Sequence, residues 1–247
     1  MQLLSVQTAD PKEHLLITDS REEAERYRSQ GGCVIGIDRA HDPEMIDFPE
    51  AEAVILDEKD LSEAFARMIF CHFHCLPYIV AETERTVIRE SISQDYALLR
   101  ELLERQKNAA ALFHDPSIVR VMQEKEGLAA YCHAAYRFFG YGMWSVVRKG
   151  DGQLIGWCGV YPGEKEGLCY PLELGYLIGE KYRGKGYAKE ACLAICRYAR
   201  EEIGAEGLTV WVKASNQAAA KLAESLGFIC KEKTADESGE CLYQKAF

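Results

Sequence analysis

The sequence predicts an α/β protein of the α+β type, with a small N-terminal α/β domain holding a short parallel sheet and a larger domain whose mixed, mostly antiparallel sheet is flanked by helices. Three observations lead there. Apolar runs alternate with helix-forming runs over the first 80 residues, as in strand–helix–strand units. Beyond residue 84, short alternating strands bracket turn signals such as Gly150-Asp151-Gly152. Between the two, Pro77 and the polar residues 82–85 mark a boundary, which sets the domains at 1–80 and 84–247.

Charge divides at the same place. The 247 residues carry a formal net charge of −10, all of it in residues 1–83, where 17 acidic side chains face 7 basic ones; residues 84–247 hold 22 of each. A surface this acidic argues against nucleic acid, whose binding needs Lys and Arg on phosphates, and tolerates a cationic amine ligand. No apolar run reaches the roughly 20 residues that span a bilayer, and residues 1–10 lack the basic flank and apolar stretch of a signal peptide. A cytoplasmic protein without membrane contact is expected. The ten cysteines lie scattered in apolar stretches, as at Cys192 and Cys196, and read as reduced packing residues.

Residues 14–19 form an apolar strand ending in Asp19-Ser20, 21–30 carry helix formers and stop at Gly31-Gly32, and 33–38 are apolar again. A third run at 53–56 precedes a helical segment from Lys59 to about His74. In the second domain 86–90 read as a strand and 93–106 as a helix capped by Ser93. Helical periodicity over 117–139 is broken at Gly127, ends at Gly140 and Gly142, and puts Tyr131, Ala135 and Phe138 in the core. Residues 143–148 and 154–161 form a hairpin, 169–178 a strand, and 186–202 a helix striped by Ala191, Ile195, Tyr198 and Ala199. Then come a strand at 208–213, a short helix at 216–226 closed by Gly227, and a terminal antiparallel pair, 228–234 with 241–246.

The chemistry concentrates in Arg183-Gly184-Lys185-Gly186-Tyr187-Ala188, between a strand and a helix. The first N–H groups of a helix have no internal partner, and the helix dipole is positive there. Gly184 and Gly186 let the backbone approach phosphate oxygens, while Arg183 and Lys185 add positive charge. The turn suits a pyrophosphate such as that of coenzyme A; a plain glycine turn is the alternative reading.

With these residues in place, the chain from about Thr86 to Phe247 resembles the GNAT superfamily of N-acetyltransferases over about two-thirds of its length. Arg183, Gly186 and Ala188 match the family motif of Arg or Gln, two residues, Gly, one residue, Gly or Ala. The strand Glu173-Leu174-Gly175-Tyr176, the helix led by Asn216 and the run Leu226-Gly227-Phe228 follow in the family's order. The resemblance implies the GNAT acyl-CoA N-acyltransferase fold, acetyl-CoA as cosubstrate, and direct acetyl transfer to a primary amine of a small molecule or a protein N-terminus. It implies a motif strand that splays from its neighbour, so that Tyr176, Leu177 and Ile178 pair with the pantetheine arm like an added strand. Gly184, Lys185, Gly186, Tyr187 and Ala188 would cover the pyrophosphate beside Arg183. Asn216 would hydrogen-bond the arm, cap its helix, or do both.

An alkyl ammonium has a pKa near ~10.4, so the transfer needs a base. Glu173 is the first candidate, since a carboxylate inside that strand is hard to place as core; a salt bridge to a helix residue such as Arg137 is the alternative. The backbone N–H near Leu177 is the expected oxyanion donor. Many family members carry a tyrosine seven residues after the Asn to protonate the leaving thiolate, and that position is Ala223 here. Tyr176, Tyr187, Ser215 or water could replace it, with Tyr176 taken as the second catalytic candidate. Ala223 and the accessory domain also leave open a non-catalytic acyl-CoA sensor or interaction protein. The aromatic residues 131–139, with Tyr141 and Trp144, lie where the family's variable helices border the acceptor pocket.

Cys71, His74 and Cys75 have the helical spacing of a zinc-ligand set. Without a Cys-x-x-Cys pair, and with Phe73 among them, a packed helix end before Pro77 is the better reading and no metal is expected. Asp19 at a strand tip resembles the acidic tip of haloacid dehalogenase-like phosphatases. Lacking the second Asp two residues on, the N-terminal domain is at most a degenerate fragment of that kind, and capping by Asp19 or Ser20 accounts for the pair. Its expected role is a scaffold, a wall on the substrate side, or a dimer contact that would make the protein a homodimer.

Overall fold

Parallel strands need long crossovers, usually helices, and the first 78 residues follow that rule. The computed structural model describes residues 2–5, 14–39, 48–105, 125–163, 170–233 and 239–247. The chain divides into two units, residues 1–78 and 79–247. In the first, β1 (Gln2–Ser5) pairs antiparallel with β2 (His14–Thr18), an edge strand that the sequence did not announce. β2, β3 (Cys33–Ile37) and β4 (Ala53–Ile55) then lie parallel in that order.

Helices α1 (Arg21–Ser29) and α2 (Glu63–Phe73) cover opposite faces of this sheet. Leu16, Ala24, Val34 and Phe48 pack on one side, and Leu15, Ile17, Ile35, Ala66 and Phe70 on the other. Burial of both faces is why the strands read as continuous apolar runs. Ser20 Oγ caps α1, accepting from the Glu23 N–H at 3.3 Å. Asp19 instead accepts from Arg39 Nε at 2.7 Å, and that hydrogen bond holds its carboxyl below the usual range. At the end of α2, His74 packs on Phe70 and Phe73 with ring centroids 4.3 and 4.8 Å away. Among the described residues no group of three His, Cys, Asp or Glu side chains is placed to hold a metal ion, and no helix is long and apolar enough to cross a membrane.

The second unit is built on eight strands: β5 (Ile79–Glu82), β6 (Thr86–Arg89), β7 (Met143–Arg148), β8 (Leu154–Pro162), β9 (Leu172–Ile178), β10 (Gly207–Lys213), β11 (Ile229–Lys233) and β12 (Glu240–Ala246). They run in the order β5-β6-β7-β8-β9-β10-β12-β11, antiparallel except for β9 with β10. β5 lies between Pro77 and the polar residues 82–85 that mark the boundary; it is short and pairs with β6 on one edge. One sheet face is covered by α3 (Tyr96–Glu104) and α4 (Lys125–Cys132), whose Leu99, Leu103 and Leu128 meet Met143, Trp157, Tyr161 and Leu177. The opposite face carries α5 (Tyr187–Glu201), with Ala191, Cys192, Ile195, Cys196 and Ala199 buried. Tyr198, predicted in the same stripe, is half-buried and packs edge-on to Trp144 at 5.4 Å. The last helix, α6 (Gln217–Ser225), follows β10.

Several sequence expectations change here. Ser93 does not cap α3: it opens a 3-10 turn, Ser93–Asp95, and Asp95 reaches back to the Ile92 N–H at 3.0 Å. Gly127 lies inside α4 rather than breaking it, and residue 106 of one predicted helical stretch and residues 117–124 of the other fall outside the described residues, as do Cys169 and Thr234. Past α4 the chain continues as a π-helix, His133–Phe139, whose wider turn shifts the buried face by a residue. Tyr136 takes the core position, and Phe138, predicted as core, is 82% exposed. The described cysteines form no disulfide with one another, and burial pushes the thiols of Cys33 and Cys196 up to about 12, which keeps them inert.

Asp95 joins these elements. Its carboxylate accepts two hydrogen bonds from Arg89, at 2.6 and 2.9 Å, and one from Ser145 Oγ at 2.8 Å, all within a buried polar chain that continues through Ser91 to Trp157 Nε1. Replacing Asp95 by Ala strands Arg89 and Ser145, and urea unfolding should register a loss of roughly 3 kcal/mol or more.

Candidate active site

β9 and β10 share one registered pair, Glu173 with Thr209. Each strand is otherwise committed to its outer neighbour, β9 to β8 along its whole length and β10 to β12 along its own. Past that pair the strands part, and the sheet opens into a cleft of about 440 Å³. Tyr176, Leu177 and Ile178 line it from β9, Asn216, Ala218, Ala219 and Leu222 from the α6 side, and Arg183, Gly184, Gly186, Tyr187 and Ala188 from the intervening loop and helix start.

The Gly179 N–H donates to Ile155 O at 2.9 Å. Hydrogen-bonded pairs alternate along an antiparallel ladder, so the peptide groups of Glu173, Gly175 and Leu177 face β8, and those of Leu174, Tyr176 and Ile178 face the β10 side. The N–H expected near Leu177 to look into the opening thus belongs to Tyr176 or Ile178. Leu177 itself lines the cleft but turns its peptide to Trp157.

Between β9 and α5 the chain makes a 3-10 turn, Glu180–Tyr182, before the glycine loop. Gly184 and Gly186 both adopt left-handed φ, 71° and 84°, which side-chain-bearing residues resist. Gly186 sits at the N-cap of α5, so the positive end of a 15-residue helix meets the cleft through bare backbone. Arg183 lines the cleft and ties loop to strand, its Nε donating to Ile178 O at 3.0 Å. Lys185 is the one predicted binding residue that does not line the cleft; its Nζ donates to Lys181 O at 2.9 Å.

Asn216 lines the cleft and also caps α6, with Oδ1 accepting from the Ala219 N–H at 3.1 Å. Tyr182, Lys189, Ala218, Ala219 and Leu222 complete the lining without having been foreseen. Lys189 stands one helical turn past Gly186, a spacing that could have flagged it. The small and apolar residues of α6 carry no such signal.

Glu173 is 1% exposed and does not line the cleft. Strand alternation sets it with Leu177 on the α3 and α4 face, while Tyr176 lies on the α5 face. It stands where the strands part, opposite the fully buried Thr209 and beside Tyr161. Burial, helped by Cys192 and Cys158, pushes the Tyr176 phenol above its ordinary value. That keeps it protonated but makes proton donation to a thiolate uphill. Tyr187 lines the cleft, Ser215 does not, and Ala223 is buried in the core.

Comparison with known proteins agrees with this architecture. A family model described as an acetyltransferase (GNAT) domain matches residues 85–229. YycN of Bacillus subtilis (strain 168), described as an uncharacterized N-acetyltransferase, is 35% identical over 88 residues, which are 35% of this chain and 54% of that protein. The crystal structure of the acetyltransferase from Agrobacterium tumefaciens str. C58 is similar with a TM-score of 0.54 at 24% identity, over 68% of this chain and 94% of that one. The structure of yncA from Salmonella typhimurium with its cofactor acetyl-CoA gives a TM-score of 0.52 at 19% identity, over 65% of this chain and 93% of that one. With the family model spanning more than half of its residues, the chain belongs to the GNAT acetyltransferase family.

Proposed function

We propose that the cleft binds acetyl-CoA and that the protein moves its acetyl group directly to a primary amine, of a small molecule or a protein N-terminus. The observation that carries this reading is the opening between β9 and β10, lined by strand peptide groups and by the glycine loop at the start of α5. The residues present fit the molecule: two glycines with left-handed φ bare the helix terminus that a pyrophosphate would face, and Arg183 stands beside them. The acetyl-CoA held by yncA lends support from the same fold.

Bound acetyl-CoA supplies an activated thioester, and the chain supplies position and proton movement. Peptide groups of Tyr176 and Ile178, turned to the β10 side, hold the pantetheine arm as an added strand, with Asn216 facing them. Gly184, Gly186 and Arg183 receive the pyrophosphate. Glu173 takes the proton from the incoming ammonium, directly or through water, and its place opposite Thr209, where the strands part, supports that role. Tyr176 serves as a hydrogen-bond donor toward the sulfur, which as a thiolate of pKa near ~8.5 leaves without much help. Ala223, where many family members carry a tyrosine, favours a second reading, an acyl-CoA-binding sensor without turnover.

Incubation with acetyl-CoA and a panel of small amines and peptides with free N-termini, monitored for released thiol, separates the two: release with one class of amine supports transfer, and tight coenzyme A binding with no release supports the sensor. Glu173→Gln, which preserves shape, should leave the dissociation constant for coenzyme A unchanged and lower turnover by roughly 10²-fold or more. In a calorimetric titration Arg183→Glu should weaken coenzyme A binding by about tenfold or more, because it removes a charge-assisted donor and adds a repelling charge.

A further inference from the structure

The glycine loop is held from outside the motif. Arg85, in the turn before β6, sends its Nη1 to the Lys185 carbonyl at 2.9 Å and its Nε to Glu190 Oε2 at 2.7 Å. Its guanidinium lies over the Tyr187 ring at 4.5 Å, and its Nη2 would stand 3.3 Å from a Cβ placed on Gly186. Glu190, in the first turn of α5, also accepts from the Arg85 N–H at 2.9 Å and from Thr83 Oγ1 at 2.5 Å. Burial pushes the Glu190 carboxyl up, but the hydrogen bonds from Thr83 and Arg85 outweigh it and hold the group below its usual range.

We propose that Arg85 is a positioning residue for the cofactor: by holding the Lys185 carbonyl it aims the Gly186 N–H into the cleft, where it meets a phosphate oxygen. The peptide between Lys185 and Gly186 is planar and trans, so its N–H points opposite to its C=O. With the carbonyl drawn to Arg85, the N–H faces away from Arg85, and Gly186, having no side chain, lines the cleft through that backbone alone. Flanking glycines cost a peptide little to reorient, so a loop with Gly184 and Gly186 on either side of Lys185 needs an external tether to present a fixed donor. The charge of Arg85 is already matched by Glu190, which makes its contribution one of geometry. A Lys at this position has one head group and cannot grip Glu190 and the Lys185 carbonyl in the same fork.

The inference rests on the acetyl-CoA reading of the cleft, and one experiment separates the two. Full-length wild type, Arg85→Gln and Arg85→Lys are titrated with coenzyme A, and amide hydrogen exchange is followed in the free proteins. Both variants are expected to bind about tenfold more weakly, the effect of losing one oriented charge-assisted donor, with faster exchange confined to residues 183–188. Wild-type affinity in Arg85→Lys would show that charge suffices and overturn the proposal, as would unchanged affinity in Arg85→Gln. Faster exchange spread over β6 and all of α5 would assign Arg85 to general stability and overturn it as well. If the wild type does not bind coenzyme A, the acetyl-CoA reading itself fails. Should Arg85→Gln not fold, Arg85→Lys carries the same comparison.

Discussion

The two halves of the larger sheet are joined where Glu173 meets Thr209, the one registered pair between β9 and β10 among the described residues, and the cleft exists because the pairing stops there. Each strand is saturated along its other edge, by β8 in one case and β12 in the other, and the twist of each half carries the strands apart beyond their common point. Thr209 is fully buried, and its Oγ1 donates to Tyr170 O at 2.9 Å, which anchors the junction. A parallel pair inside an antiparallel sheet thus opens a cleft, with peptide groups of Tyr176 and Ile178 turned to the opening. The same junction buries Glu173 where the strands part, outside the lining of the cleft.

The sheet is supported differently on its two faces. Beneath α3 and α4 a buried polar chain, Arg89 to Asp95 to Ser145 to Ser91 to Trp157, ties the turn after β6 to β7 and β8. Its geometry is directional, which fixes strand positions more tightly than apolar contact alone. On the other face α5 presents Ala191, Cys192 and Ala199, and Cys192 Sγ lies 3.8 Å from Cys158 Sγ of β8. The start of that helix, at Gly186, Tyr187 and Ala188, lines the opening.

Much of this was readable from the residues in order. The hairpin around Gly150 and Gly152, the Arg183-to-Ala188 loop, the helix led by Asn216 and the antiparallel ending each rest on local signals: alternation, a glycine at left-handed φ, a cap. Eight predicted binding residues of the segment 176–188 line one cleft because strand, turn and helix N-terminus are contiguous in the chain, and contiguity is what a sequence shows; Asn216 joins them from the next helix. Where local signals were weak, the structure differed. Phe138 is exposed because a π-turn shifts the face that 3.6-residue spacing predicts.

The sequence by itself determined the kind of protein, through local patterns that need no distant partner. Only the tertiary structure decided how the site is held and aimed. Arg85 and Glu190 are 105 positions apart and meet at the glycine loop. Whether the Leu177 or the Ile178 peptide faces the cleft depends on the register of β8 against β9. These choices arise from hydrogen bonds between segments far apart in the chain, whose partners no local periodicity encodes.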